Sequence, residues 1–186
     1  EKPVPVTPSR MEGIVRSPLD WFVAVSGGQA GTDLSRSIGT LIHEVAQDLP
    51  EAPGHELVAE LRRRFEALRL PETWETEQTW QRAETMIRKF AQYAVDSRLK
   101  EGRRLAGIEG SFQVLVPGPA RDALLTGRVD RLEVDQLGRY AVIDLKTGRH
   151  APTKAQMAHH PQLAGYQVAL AAGAGEAMAA QAARDG

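Results

Sequence analysis

The 186 residues contain no cysteine, which excludes disulfides, thiolate zinc sites and cysteine-ligated iron–sulfur clusters. Aromatic residues are sparse, at 5%. No apolar run approaches the roughly 20 residues that span a bilayer, and the start of the sequence shows no signal pattern, so a cytoplasmic location is expected. An excess of basic charge is also missing: the formal net charge is -1, whereas phosphate binding calls for concentrated Lys and Arg. Basic residues gather only locally, at Arg62 to Arg64, at Arg103 and Arg104, and at Arg128 with Arg131, and such runs are usually solvated faces. There is no G-x-x-x-x-G-K-[ST] loop, so no P-loop nucleotide motor lies in these residues.

What remains is one ordinary domain's worth of chain, with 42% hydrophobic and 25% charged residues, the balance of a soluble globular protein. Its most informative stretch is Gly127 to Lys146, GRVDRLEVDQLGRYAVIDLK. Leu124 to Val134 and Tyr140 to Lys146 are rich in Val, Ile and Leu, and the turn chemistry of Asp135-Gln136-Leu137-Gly138 between them predicts a hairpin. A period of two puts Tyr140, Val142, Asp144 and Lys146 on one face of the second strand. If Val134 pairs with Tyr140, then Leu132 meets Val142 and Asp130 falls opposite Asp144. Directly paired side chains lie roughly 5 Å apart, where like charges destabilise. A divalent cation would offset that repulsion, and a hard ion such as Mg²⁺ favours carboxylate and carbonyl oxygen. The same register sets Arg128 opposite Lys146, which would lower the lysine's pKa and favour a neutral amine able to accept a proton.

Read in order, Glu1 to Pro8 is expected to be a proline-rich linker. Ser9 can cap a short helix over Arg10 to Val15, and Ser17-Pro18 can start another that ends near Val25. Asp33 to Asp48 has Leu34, Ile38, Leu41 and Val45 at helical spacing. His43 lies off that stripe, so its position alone points more to an exposed residue than to a ligand. Glu56 to Arg69 and Glu75 to Lys100 are further helices, the second with a stripe of Trp80, Ala83, Ile87, Phe90 and Ala94 that reads as core. Alternation from Ile108 to Val116 predicts a strand in which Glu109 reads as an ordinary exposed acid. His150 to His160 is a loop or short helix whose histidines lack convincing zinc spacing. Pro161 suits a helix start, with Gln162 and Tyr166 one turn apart on one face. The Ala- and Gly-rich residues 173–186 are expected to fray.

GRVDR, DLKTG and QLAGY follow one another in that order, with Gly39-Thr-Leu-Ile-His43 upstream. Together they resemble the PD-(D/E)xK nuclease superfamily in its RecB-like branch, whose pattern is G-x-x-D-R, D-x-K-T-G, then Q-x-x-x-Y, preceded by G-x-x-x-H. The resemblance covers residues 9–172. It implies an α/β fold, a restriction-endonuclease-like core with a small mixed sheet after a helical N-terminal half. It implies that His43, Asp130, Asp144 and the Leu145 carbonyl hold Mg²⁺ or Mn²⁺, and that Lys146 orients or deprotonates the attacking water. It also implies that Gln162 and Tyr166 steady the site or the DNA strand, and it offers Glu109, which resembles an acid often found there in the family, as an auxiliary site residue beside its reading as an exposed strand glutamate. Ser17 stands where some relatives place an iron–sulfur cysteine, so no such cluster is expected here.

Composition and motif spelling look like the C-terminal nuclease domain of actinobacterial UvrD/RecB-type, AdnB-like helicase-nucleases. The core of such a domain would continue into further strand sequence, so the chain reads as a domain of a larger protein. The implied activity is DNA hydrolysis, in exonuclease mode, during double-strand break processing and recombination. The implied partners are a single strand or unwound duplex end, a helicase motor in the same chain and a second helicase-nuclease subunit, with no membrane. Two alternatives stay open: a catalytically silent nuclease-fold module for DNA-end binding or subunit contacts, and a freestanding exonuclease.

Overall fold

The computed structural model describes residues 2–17, 33–148, 153, 156–157 and 159–185. The helix expected from Ser17-Pro18 toward Val25 lies outside them. The described part is a mixed α/β fold in which helices fill most of the N-terminal half and a small four-stranded sheet combines one strand from the start of the chain with three from its second half.

Strand β1 (Val4–Val6) leads into helix α1 (Pro8–Arg16). Thr7 rather than Ser9 caps α1, its hydroxyl accepting the Arg10 N–H at 3.2 Å, because Pro8 already occupies the first turn, where a missing N–H costs nothing. Helix α2 (Asp33–Asp48) buries Ile38, Leu41, Ile42, Val45 and Ala46. These pack with Leu57, Leu61 and Phe65 of α3 (Gly54–Ala67) and with the stripe of α4 (Trp74–Lys100). Thr73 caps α4, and Glu75 and Glu77 at its start oppose Arg98 and Lys100 at its end, charges placed to suit the helix dipole. Trp80 is buried edge-on to Phe65 at 5.4 Å between ring centroids, so the α4 aromatics are core, as their spacing predicts. Ala94, at the end of that stripe, is only half-buried.

Strand β3 (Ala123–Val134) is the middle of the sheet. Strand β2 (Arg104–Val116) runs antiparallel along one of its edges. The opposite edge is shared: β1 pairs parallel with Ala123 to Leu125, and β4 (Tyr140–Ile143) pairs antiparallel with Arg131 to Val134. The hairpin register is the one read from the turn, with Val134 opposite Tyr140 and Leu132 opposite Val142. Asp135 sets the turn by accepting the N–H groups of Leu137 and Arg139, each at 2.9 Å, and Gly138 supplies a φ of +76°. Between the two short strands, residues 126–130 of β3 have no strand partner on that edge among the described residues. The candidate site forms in this gap.

Two expectations are overturned. The expected linker of residues 1–8 is not simply a linker, since Val4 to Val6 pair with the sheet and Pro8 is buried. The Ala- and Gly-rich tail does not fray: helix α5 (Pro161–Ala171) is followed by α6 (Ala174–Asp185), which lies on β2 and buries Ala174 and Met178. The physical reason is small residues on both sides. A Cβ added at Gly110 would come 3.0 Å from Met178 Sδ, and one at Gly107 would come 3.5 Å from Ala182 Cβ. Glycine on the strand lets the helix approach closely enough to bury a weakly hydrophobic face. Among the described residues, no helix is long and apolar enough to cross a membrane.

Candidate metal centre

Asp130 sits at the end of the gap in β3. Its Oδ2 accepts the Leu145 N–H at 2.6 Å, and its Oδ1 lies 3.7 Å from His43 Nδ1. Glu109 comes from the neighbouring strand, bracketed by the pairs Ile108 with Arg131 and Gly110 with Val129. One atom each from His43, Glu109 and Asp130 lies within 4.8 Å of the others, and all three residues are half-buried. Glu109 has a φ of +51°, a left-handed backbone that costs a side-chain-bearing residue about 1–2 kcal/mol. Such strain persists where the surroundings over-determine it. Burial, opposed by the Leu145 N–H and His43 and reinforced by the Asp144 charge, raises the Asp130 pKa above the ordinary aspartate value. Buried negative charge of this kind favours a cation.

Helix α2 can approach the centre because residue 39 is glycine. Gly39 is buried, and a Cβ there would meet Thr147 Oγ1 at 2.8 Å. The Lys146-Thr147-Gly148 turn therefore rests against α2, one helical turn before His43. Leu145 helps fix the same segment by packing against the helical core.

A second group borders the first. Lys146 Nζ donates to Gln162 Oε1 at 2.6 Å and lies 2.8 Å from Asp144 Oδ2. Gln162 Nε2 donates to Asp144 Oδ1 and to the Tyr166 hydroxyl, both at 3.0 Å. An ammonium on one side and a carboxylate on the other fix the orientation of this buried amide. Tyr166 can give its single proton either to the Arg128 carbonyl at 3.2 Å or to Asp144 Oδ1 at 3.3 Å. The first of these satisfies a backbone acceptor left unpaired by the gap between β1 and β4. Burial first, and then the Asp144 carboxylate, push the Tyr166 pKa up to about 12, so Tyr166 remains a neutral donor at neutral pH.

The residues singled out from the sequence thus divide. His43 and Asp130 converge with Glu109, whereas Asp144 turns to Lys146, Gln162 and Tyr166. Leu145 reaches Asp130 through its N–H. One acceptor of the second group is incompletely used: Asp144 Oδ2 is buried with no hydrogen-bond partner, its approach to Lys146 being a charge contact without hydrogen-bond alignment. The imidazole of His43 and the two carboxylates of Glu109 and Asp130 form a donor set suited to a divalent cation.

Arg128 does not face Lys146. Strand β4 ends at Ile143, so the ladder does not extend that far, and Arg128 Nε instead lies 2.5 Å from Glu109 Oε2. Arg131, grouped by sequence with the basic residues, is buried: its Nε meets Glu133 Oε1 at 2.6 Å and its NH1 donates to the Pro50 carbonyl at 2.7 Å. Glu133 also accepts from Ser97 at 2.5 Å and Tyr93 at 2.9 Å on α4, tying the sheet to the helical core. The sequence signal for this network was Arg131 and Glu133 two apart, on one face of an otherwise apolar strand. The Arg62 to Arg64 run is neutralised by Glu66, Glu60 and Asp48. His160 contacts Glu12 at 3.6 Å, and His150 lies outside the described residues.

A family model described as the PD-(D/E)XK nuclease superfamily matches residues 5–185. No curated protein matches the chain.

Proposed function

The chain belongs to the PD-(D/E)XK nuclease superfamily, and from that premise and the site's geometry we propose that it is a metal-dependent deoxyribonuclease. The observation that carries this reading is the convergence of His43, Glu109 and Asp130 within 4.8 Å, beside a lysine held by Asp144 and Gln162. When bound, Mg²⁺ or Mn²⁺ would polarise the scissile phosphate and lower the pKa of a coordinated water. His43, Glu109 and Asp130 would hold it, with Asp144 Oδ2 and the Leu145 carbonyl completing the set. Lys146, held as an ammonium by Asp144 and Gln162, would orient the attacking water. Gln162 and Tyr166 would keep Asp144 and Lys146 in place, and Tyr166 would also hold the β3 backbone at Arg128.

We further propose that the domain is the exonuclease module of an AdnB-like helicase-nuclease that processes double-strand break ends for recombination in the cytoplasm. The motif spelling supports this assignment. So does the formal charge of -1, which suits a module supplied with strand by a tethered motor at high effective concentration. DNA and a helicase motor would be its partners.

The test is to incubate the chain with end-labelled single-stranded DNA, with and without Mn²⁺, beside Asp144→Ala and Lys146→Ala. We expect label release by the wild type only with the cation, and none from either variant at unchanged circular dichroism. Digestion at the wild-type rate by either variant would exclude the mechanism.

A further inference from the structure

Glu109 has two claims on it. Its carboxylate belongs to the three-residue cluster with His43 and Asp130, yet it is also held by Arg128, whose Nε lies 2.5 Å from Oε2 and 3.3 Å from the Glu109 carbonyl. Despite these contacts the Arg128 side chain is 63% exposed, against 18% for Glu109. The guanidinium therefore stands at the rim, between the cluster and solvent. Its hydrogen bond to a described residue is made by Nε. The terminal nitrogens, which form the fork that grips phosphate through paired hydrogen bonds, make no hydrogen bond to any described residue. The Arg128 backbone is meanwhile anchored, because its carbonyl accepts from Tyr166, which also touches Asp144. The side chain can swing on a fixed pivot beside the reacting centre.

Resting on the metal-dependent nuclease reading, we propose that Arg128 positions a phosphate of the DNA strand and couples that grip to the cation through Glu109. Without a cation, Arg128 neutralises the Glu109 carboxylate. A cation that takes this carboxylate repels the guanidinium and releases it toward the strand, so cation and strand favour each other. Such coupling is reciprocal: whatever factor the cation adds to strand affinity, the strand adds to cation affinity.

The test compares wild type, Arg128→Ala and Arg128→Lys in two measurements. The first is calorimetric titration of each chain with Mn²⁺ alone. The second is fluorescence anisotropy with a labelled oligo-dT carrying hydrolysis-resistant phosphorothioate linkages, at several salt concentrations, with and without Mn²⁺. In the wild type, Mn²⁺ should tighten strand binding about 5-fold or more. Arg128→Ala should bind Mn²⁺ at least as tightly as wild type, lose the coupling, and show a salt slope shallower by about 0.7, the loss of one single-strand phosphate contact. Arg128→Lys should restore the slope, as it keeps the charge, but only part of the affinity, as it lacks the fork. If Arg128 merely braces Glu109, Arg128→Ala will bind Mn²⁺ more weakly with its salt slope unchanged, and the proposal is overturned. Coupling and slope both at wild-type values in Arg128→Ala would overturn it equally. Failure of the wild type to take up Mn²⁺ would overturn the metal-centre reading and the proposal with it, whereas uptake with an indifferent Arg128 would remove only the latter.

Discussion

Gly39→Ala sets two effects of opposite sign against each other. Gly39 lies inside α2, where alanine is favoured over glycine by about 1 kcal/mol. Against this, the new Cβ would sit 2.8 Å from Thr147 Oγ1, and relieving an overpacked contact typically costs about 1–3 kcal/mol. The net change should be a destabilisation of about 0–2 kcal/mol. Truncating the partner reverses the outcome: with Thr147→Ala the Oγ1 is gone and the next atom is Cβ at an ordinary 3.7 Å. In that background Gly39→Ala should stabilise by about 1 kcal/mol, a coupling of about 1–3 kcal/mol between the two positions. Urea denaturation of wild type, both single variants and the double variant measures it directly. Cleavage should suffer more than stability in Gly39→Ala, because displacing Thr147 moves the adjacent Lys146, and the double variant should recover part of the rate. Additive stabilities within about 0.5 kcal/mol, or wild-type cleavage by Gly39→Ala, would refute the idea that glycine is needed there for the turn to rest on the helix.

Glu133→Ala should cost about 3–5 kcal/mol in chemical denaturation, since it leaves Arg131 buried without its counter-charge, and a loss below 1 kcal/mol would show that Arg131 finds water or another partner. Met178→Ala should cost about 2–5 kcal/mol if α6 is part of the core, whereas a frayed tail would register almost nothing. Asp130→Asn bears on pH. The folded Asp130 pKa is raised, chiefly by burial, so the wild type carries a penalty above that raised value which disappears below the unfolded value. Denaturation in chelator should therefore show Asp130→Asn as the more stable chain at neutral pH. Its advantage should shrink as pH falls through the raised value toward 3.8, and an advantage independent of pH would contradict the burial of the charge. His43→Ala should weaken Mn²⁺ binding in calorimetry more than it lowers the melting temperature, and an unchanged affinity would remove His43 from the ligand set.

The parts of the fold that were legible in the sequence are those whose information is local. The β3–β4 register followed from the Asp135 to Gly138 turn and the alternation on either side, and α2 from its aliphatic stripe. What could not be read depends on surfaces brought from elsewhere. Val4 to Val6 are a strand only because β3 has a free edge at Ala123 to Leu125, and nothing in a proline-rich segment announces that. The tail contains mostly alanine and glycine, so its hydrophobic signal is weak. Its burial comes from Gly107 and Gly110, some 70 residues earlier on β2.

The division of labour between the acids was hidden for a related reason. Spacing could place Asp130 across from Asp144 and show that two carboxylates were close, but not which of them a neighbouring lysine would occupy. That choice is made by Gln162 on α5, which binds Lys146 with its oxygen and Asp144 with its nitrogen and so draws Asp144 toward the lysine. Glu109 takes the vacated place beside Asp130; the alternation of its strand marked it only as an exposed acid, and the auxiliary role came from the family resemblance alone. What distinguishes it is its left-handed backbone, a property of the conformation that carries no residue signature, as glycine would have given. A strained glutamate between a histidine and an aspartate on one side and an arginine on the other is held by competing charges. The balance among those charges sets how readily the centre accepts a cation.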